Sequence, residues 1–121
     1  MRTLSIALVT IALVLAGTAT AKHHRQAAAE VMRIDEQHGN IDTNATAETL
    51  DELDLSTGDS FPVRFGDREV TVYLGETYSD VPRGDWIAFI TGGGNLRIAR
   101  NFEDAASTLG VEAGDTITLF N

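Results

Sequence analysis

The chain has 121 residues, with 18 acidic against 9 basic, a formal net charge of −9 and no cysteine. That length holds one domain at most, and the lack of cysteine excludes disulfides and a cysteine-linked lipoprotein anchor at a leader cleavage site. A surface this acidic repels phosphate backbones, which argues against a nucleic-acid partner and for a solvated, soluble exterior.

Residues 1–21 read as an export leader. Arg2 gives a positive start, Leu4 to Ala16 is apolar apart from Ser5 and Thr10, and Ala19-Thr20-Ala21 fits a small-x-small cleavage site. The run is short for a membrane span; an uncleaved N-terminal anchor is the alternative reading. Cleavage after Ala21 predicts a secreted or periplasmic chain with no stable membrane span. Its new amino group would sit on Lys22, and His24 would be third. A free amine, two amides and that imidazole can make a square-planar nitrogen site for Cu(II) or Ni(II), with His23 assisting; the alternative is an exposed linker with two histidines. Residues 22–30 are expected as a flexible lead-in or short helix.

The domain is expected over 31–121. Val31 to Asp35 alternates like a half-buried strand, and Gln37-His38-Gly39-Asn40 reads as a turn. Thr46, or Asn44, is expected to cap a helix near Ala47 to Leu53. Asn44-Ala45-Thr46 is formally a glycosylation acceptor. After a turn at Ser56 to Asp59, Phe61, Val63 and Phe65 alternate, Gly66-Asp67 turns, and Val70, Val72 and Leu74 alternate again, which predicts a β-hairpin. Thr77 to Gly84 is a loop. Trp86 to Thr91 and Leu96 to Ala99 are strands joined through Gly92-Gly93-Gly94. Asn101 is expected to cap a helix over Glu103 to Leu109, ended by Gly110, and Thr116 to Phe120 is the last strand. Six or seven short strands with two short helices predict a mainly β fold, an antiparallel barrel or sandwich.

No general acid–base set stands out. His38 reads as a turn histidine, and metal-ligand spacing such as HExxH is absent. The triple glycine lacks the lysine and serine of a phosphate loop and reads as a hairpin turn. Next to it stand Asn95, Arg97, Arg100 and Asn101, so a ligand site is expected there. Tyr78 on its loop can stack on a flat ring, whereas Trp86 and Phe89 read as core.

Four segments occur in one order in one family. Ile34 to Asn44 (I-D-E-Q-H-G-N-I-D-T-N), Thr77 to Gly84 (T-Y-S-D-V-P-R-G), Asn95 to Asn101 (N-L-R-I-A-R-N) and Ala105 to Asp115 (A-A-S-T-L-G-V-E-A-G-D) resemble the C-terminal domain of the S-adenosylmethionine hydroxide adenosyltransferases, relatives of the fluorinases and chlorinases. The resemblance spans about residues 31 to 120 and implies a small β-barrel. In that family a larger N-terminal domain carries the catalytic aspartate, and the active site forms between subunits of a trimer. The resemblance implies that Asn40 and the backbone around Gly93 and Phe102 contact an adenine, that Tyr78 packs on it, that Arg100 faces the substrate and that Asn101 holds the turn. The sequence departs from the family at three places. His38 replaces a phenylalanine, Gly92 a substrate-binding serine, and Phe102 a small residue, where it is expected to crowd the pocket.

The ligand set is therefore Asn40, Tyr78, Gly92, Gly93, Arg100, Asn101 and Phe102, with no catalytic residue, metal or cofactor assigned. The function expected is an exported stand-alone homologue of the adenosine-contacting domain, a binding or accessory module. The alternatives are a structural barrel, or a subunit completing an S-adenosylmethionine-cleaving site with a separate catalytic chain. Homo-oligomers or such a chain are the expected macromolecular partners.

Overall fold

A computed structural model describes residues 25–121. Its strands are β1 (Gln26–Asp35), β2 (Asn40–Thr46), β3 (Ser60–Phe65), β4 (Arg68–Leu74), β5 (Trp86–Ile90), β6 (Asn95–Arg100) and β7 (Thr116–Phe120). Two short helices, α1 (Ala47–Glu52) and α2 (Ala105–Leu109), and a 3₁₀ turn at Tyr78–Asp80 complete it. The strands close a barrel in the order β1-β2-β6-β5-β4-β3-β7. Closure leaves no free sheet edge among them.

The β3–β4 hairpin forms as its alternation predicts. Phe61, Val63, Phe65, Val72 and Leu74 are buried inside the barrel, and Gly66 turns the chain at φ +63°. Every neighbouring strand pair is antiparallel except β4–β5, which pair in parallel through Tyr73–Ile87 and Leu74–Ala88. Parallel neighbours need a crossover, here residues 75–85. That segment lies over the outer face of the sheet, where Val81 packs with Ile87, Phe89 and Ala99, and Tyr73 and Tyr78 lean on the same cluster. The barrel thus has a second, smaller apolar layer outside its wall.

Three expectations need correction. The lead-in is strand from Gln26 onward: residues 26–30 pair with β7 from Gln26–Phe120 to Glu30–Thr116. Alanines carry little strand preference of their own, and the ladder to β7 supplies what local sequence lacks. A bulge between Val31 and Arg33 then lets the same strand turn its second half to β2. Second, the expected turn forms at residues 36–39, but the segment between it and α1, read only as turn and capping residues, is the strand β2. Its residues Asn40, Asp42 and Thr43 are polar yet buried, so no apolar alternation announces it. Third, α2 starts at Ala105 and its cap is Asp104, whose Oδ1 accepts the Ser107 N–H at 2.8 Å. Asn101 is used elsewhere. At α1 the cap is Thr46, one of the two residues expected, and the Thr49 hydroxyl accepts its N–H at 3.1 Å.

Candidate functional site

Three segments far apart in sequence enclose an open cleft of about 620 Å³: Gln37, His38 and Asn40; Tyr78; and Arg100, Asn101, Phe102, Glu103 and Asp104.

Asp35 builds the first wall. Its Oδ1 accepts the N–H of Gln37 at 3.0 Å and of His38 at 3.4 Å. Its Oδ2 lies 3.0 Å from His38 Nδ1 and accepts Asn40 Nδ2 at 3.1 Å. The bond to His38, with the two backbone N–H groups, outweighs desolvation and holds the Asp35 carboxyl below the usual range. Gly39 turns the chain at φ +75°, and its carbonyl accepts the Ala106 N–H at 3.0 Å. This bond ties the turn to the start of α2.

Tyr78 forms the second wall. Asp80 organises its turn by accepting the N–H groups of Glu76 (2.7 Å) and Thr77 (3.2 Å). The Tyr78 ring meets Phe89 edge-on, with centroids 5.1 Å apart at 85°. Its hydroxyl accepts Arg97 Nη1 at 3.3 Å. Arg97 is itself held by Asp42, through Nε to Oδ1 at 2.7 Å and Nη2 to Oδ2 at 3.1 Å. Arg33 Nη2 reaches the same Oδ2 at 2.5 Å. Arg33, Asp42 and Arg97 stand opposite one another on the adjacent strands β1, β2 and β6. Burial alone would raise the Asp42 carboxyl, but the hydrogen bonds and charges of Arg97 and Arg33 lower it. The Asp42 bond in turn raises Arg97, against its own desolvation. Both stay charged, and Tyr78 is braced by an ion pair on one side and an aromatic ring on the other.

The β6–α2 corner is the third wall. Arg100 donates from Nε to the Gly84 carbonyl at 2.9 Å and from Nη1 to Thr108 Oγ1 at 3.1 Å, and its guanidinium carbon lies 5.5 Å from the centre of Trp86. Buried Asn101 donates from Nδ2 to the Val81 carbonyl at 2.9 Å. Its backbone exchanges bonds with Gly84 (2.7 Å) and Asp85 (2.9 Å), so it secures the crossover loop. Phe102 has φ +63° and is 73% exposed, with the Arg83 guanidinium 4.6 Å from its ring centre. A left-handed backbone is costly for a non-glycine residue, and such strain concentrates at functional sites.

Asn40, Tyr78, Arg100, Asn101 and Phe102 all line this cleft. Gly92 and Gly93 do not. They sit in the β5–β6 turn, where Gly93 N–H meets Thr91 Oγ1 at 3.2 Å and Thr91 Oγ1 donates to Asn95 Oδ1 at 2.6 Å. Arg100 pairs with Trp86 at the other end of that hairpin, roughly 17 Å away at strand rise. Phe102, expected to crowd the pocket, stands at its rim with its ring in solvent. Sequence reading missed Arg33, Asp35 and Asp42 as site-shaping residues; it named Arg97 beside the glycine turn but not its bond to Tyr78 or its pairing with Asp42. The available signal was a pair of carboxylates, Asp35 and Asp42, bracketing a turn in a segment with few alternating apolar positions.

The lining combines side-chain amides, two aromatic rings and carboxylates, a set suited to recognising a flat, hydrogen-bonding molecule. Among the described residues no group of three metal-ligating side chains comes together, and no helix is long and apolar enough to cross a membrane. The leader at 1–21 and Lys22-His23-His24 lie outside the described residues.

Residues 29–118 match the family described as SAM hydroxide adenosyltransferase C-terminal domain. No curated protein matches the chain. Among solved structures, an uncharacterized conserved protein from Thermotoga maritima is similar at 29% identity and a TM-score of 0.74, over 79% of this chain and 36% of its own. A conserved hypothetical protein from Thermus thermophilus is similar at 27% identity and a TM-score of 0.54, over 76% of this chain and 34% of its own. This chain therefore spans about a third of the length of those proteins.

Proposed function

The chain belongs to the SAM hydroxide adenosyltransferase C-terminal domain family, and from that premise we propose that it is an exported binding or accessory module whose cleft takes an adenosine-type small molecule. One observation carries this reading. Asn40, Tyr78, Arg100, Asn101 and Phe102 come from three distant segments, yet all line one cleft. Export rests on the leader pattern at 1–21. N-terminal sequencing of secreted material should begin at Lys22, and a retained leader would argue for an anchor instead.

Calorimetry with adenosine and S-adenosylmethionine tests the ligand. The expected result is saturable heat that is much reduced in Phe102→Ala, whose exposed side chain can be removed without opening the core. Absence of heat at millimolar ligand, with an unshifted melting temperature, would leave a structural barrel as the reading.

A second reading is favoured by the open side of the cleft, where Phe102 stands in solvent. Pockets gain affinity by burying most of a ligand, and a facing surface from another copy or from a separate catalytic chain would supply the missing wall. In that case the chain completes a site that cleaves S-adenosylmethionine. Methionine release that appears only on adding such a catalytic chain would establish it.

A further inference from the structure

Lys22-His23-His24 immediately precedes the first described residue, Arg25, and neither the barrel nor its cleft gives it a role. The structure shows what the barrel does with the next residue. Arg25 donates its N–H to the Asn121 carbonyl at 3.0 Å and accepts the Asn121 N–H at 2.9 Å, which extends the β1–β7 ladder one pair beyond Gln26–Phe120. Its guanidinium lies 3.5 Å from the Asp54 carboxylate, and Asn121 Nδ2 donates to the Leu53 carbonyl at 2.9 Å. The chain is therefore held at Arg25, beside the C-terminal end of α1.

We propose that cleavage after Ala21 creates a binding site for Cu(II) or Ni(II), made of the Lys22 amine, the amide nitrogens of His23 and His24, and the His24 imidazole. The inference rests on the leader cleavage in the reading above and is independent of the cleft. Four nitrogens from three consecutive residues close a run of chelate rings, a set that suits ions preferring square-planar nitrogen coordination. Neither His23 nor His24 is a proline, so both amides have a proton to give up. The chelate ends at the His24 imidazole and asks nothing of Arg25, whose N–H already serves Asn121; ladder and metal do not compete for a donor. Binding displaces the protons of the amine and of both amides, so affinity rises with pH. The two amide anions balance the divalent charge. Zn(II), with no preference for a square plane, is a poor competitor. Among the described residues the other imidazole is His38, which presents Nδ1 to Asp35 at 3.0 Å. It lies past the far end of the ten-residue strand β1, roughly 30 Å from Arg25 at strand rise.

Titrating Cu(II) chloride into the secreted protein, once its intact mass has given the first residue, tests this. The mass should give Lys22. One Cu(II) should bind per chain with a visible absorption band that added Zn(II) does not remove. Paramagnetic broadening of amide signals should fall on Arg25, Gln26, Asp54 and Asn121 and spare His38. His24→Ala should abolish the band, and so should a single glycine added ahead of Lys22, which keeps both histidines but moves His24 to fourth place. His23→Ala should keep it, because its amide remains. A first residue other than Lys22 overturns the cleavage and the site together. A start at Lys22 with no band, a band that survives His24→Ala or the added glycine, or broadening centred on His38 overturns the site alone and leaves export standing.

Discussion

The Asp104 carboxylate occupies the space that a side chain on Gly39 would need. A Cβ built on Gly39 falls 1.9 Å from Asp104 Oδ1 and 2.9 Å from its Cα. The same carboxylate caps α2, so the first and third walls of the cleft meet at a contact that only glycine permits.

Gly39→Ala should therefore destabilise the domain by about 2–4 kcal/mol, from overpacking plus a left-handed backbone, and should weaken any ligand bound in the cleft. Gly92→Ala is the counterpart. Nothing lies within 4 Å of its Cβ position, so stability should change by no more than about 0.5 kcal/mol. Urea titrations of the two variants check the contrast; equal losses would refute it.

Asp42 should govern the acid limb of stability. Its folded carboxyl titrates below the ordinary value, which is about 3.9 for a free aspartate. A depressed group adds stability that is present above the unfolded value and lost as pH falls through the folded one. Asp35, shifted in the same direction, adds to the same limb. Asp42→Asn should cost about 2–4 kcal/mol near neutral pH, by leaving Arg97 without its partner, and should flatten the decline below about pH 4. Urea midpoints measured at several pH values test this. A variant with the same acid slope as wild type would place that limb on other groups.

Asn101→Ala should cost about 1–3 kcal/mol, the usual penalty for stranding a buried hydrogen-bonding group, here the Val81 carbonyl. The loss should be local. Amide exchange ought to rise in residues 76–85 before it rises in β3 and β7, because the crossover packs on the outer cluster rather than the barrel core. Uniform acceleration would mean that loop and barrel unfold together.

Phe102→Gly should separate stability from binding. Glycine relieves a left-handed backbone at φ +63°, a gain of about 1 kcal/mol, offset in part by the lost Arg83–ring contact, about 0.5–1 kcal/mol at an exposed site. The melting temperature should hold or rise while adenosine affinity falls. Unchanged affinity would remove Phe102 from the site.

Much of the barrel was legible because β3 and β4 carry their burial in a period of two, and β5 is an apolar run buried at three consecutive residues, Ile87, Ala88 and Phe89. Phe61, Val63 and Phe65 answer Val70, Val72 and Leu74, and Trp86 to Ile90 answers Leu96 to Arg100. Glycines mark the turns between them, and Gly66 and Gly94 have the positive φ that such turns need. The closed order of the strands follows from pairings between distant residues. The alanines of β1 become strand only because β7 lies alongside them. The crossover from β4 to β5 makes a parallel pair that no local pattern announces.

The site divides in the same way. Asn40, Tyr78, Arg100, Asn101 and Phe102 could be named from short motifs, because motif residues keep their neighbours in the chain. Their convergence on one cleft, and the distance of Gly92 and Gly93 from it, depend on how β5 and β6 are oriented. Asp42 shows the limit most clearly. In sequence it is one more acidic residue in an acidic chain. In the fold it is buried between two arginines from neighbouring strands, Arg33 and Arg97. A charge is tolerable there only when its partners arrive from elsewhere, and the tertiary structure alone decides which partners those are.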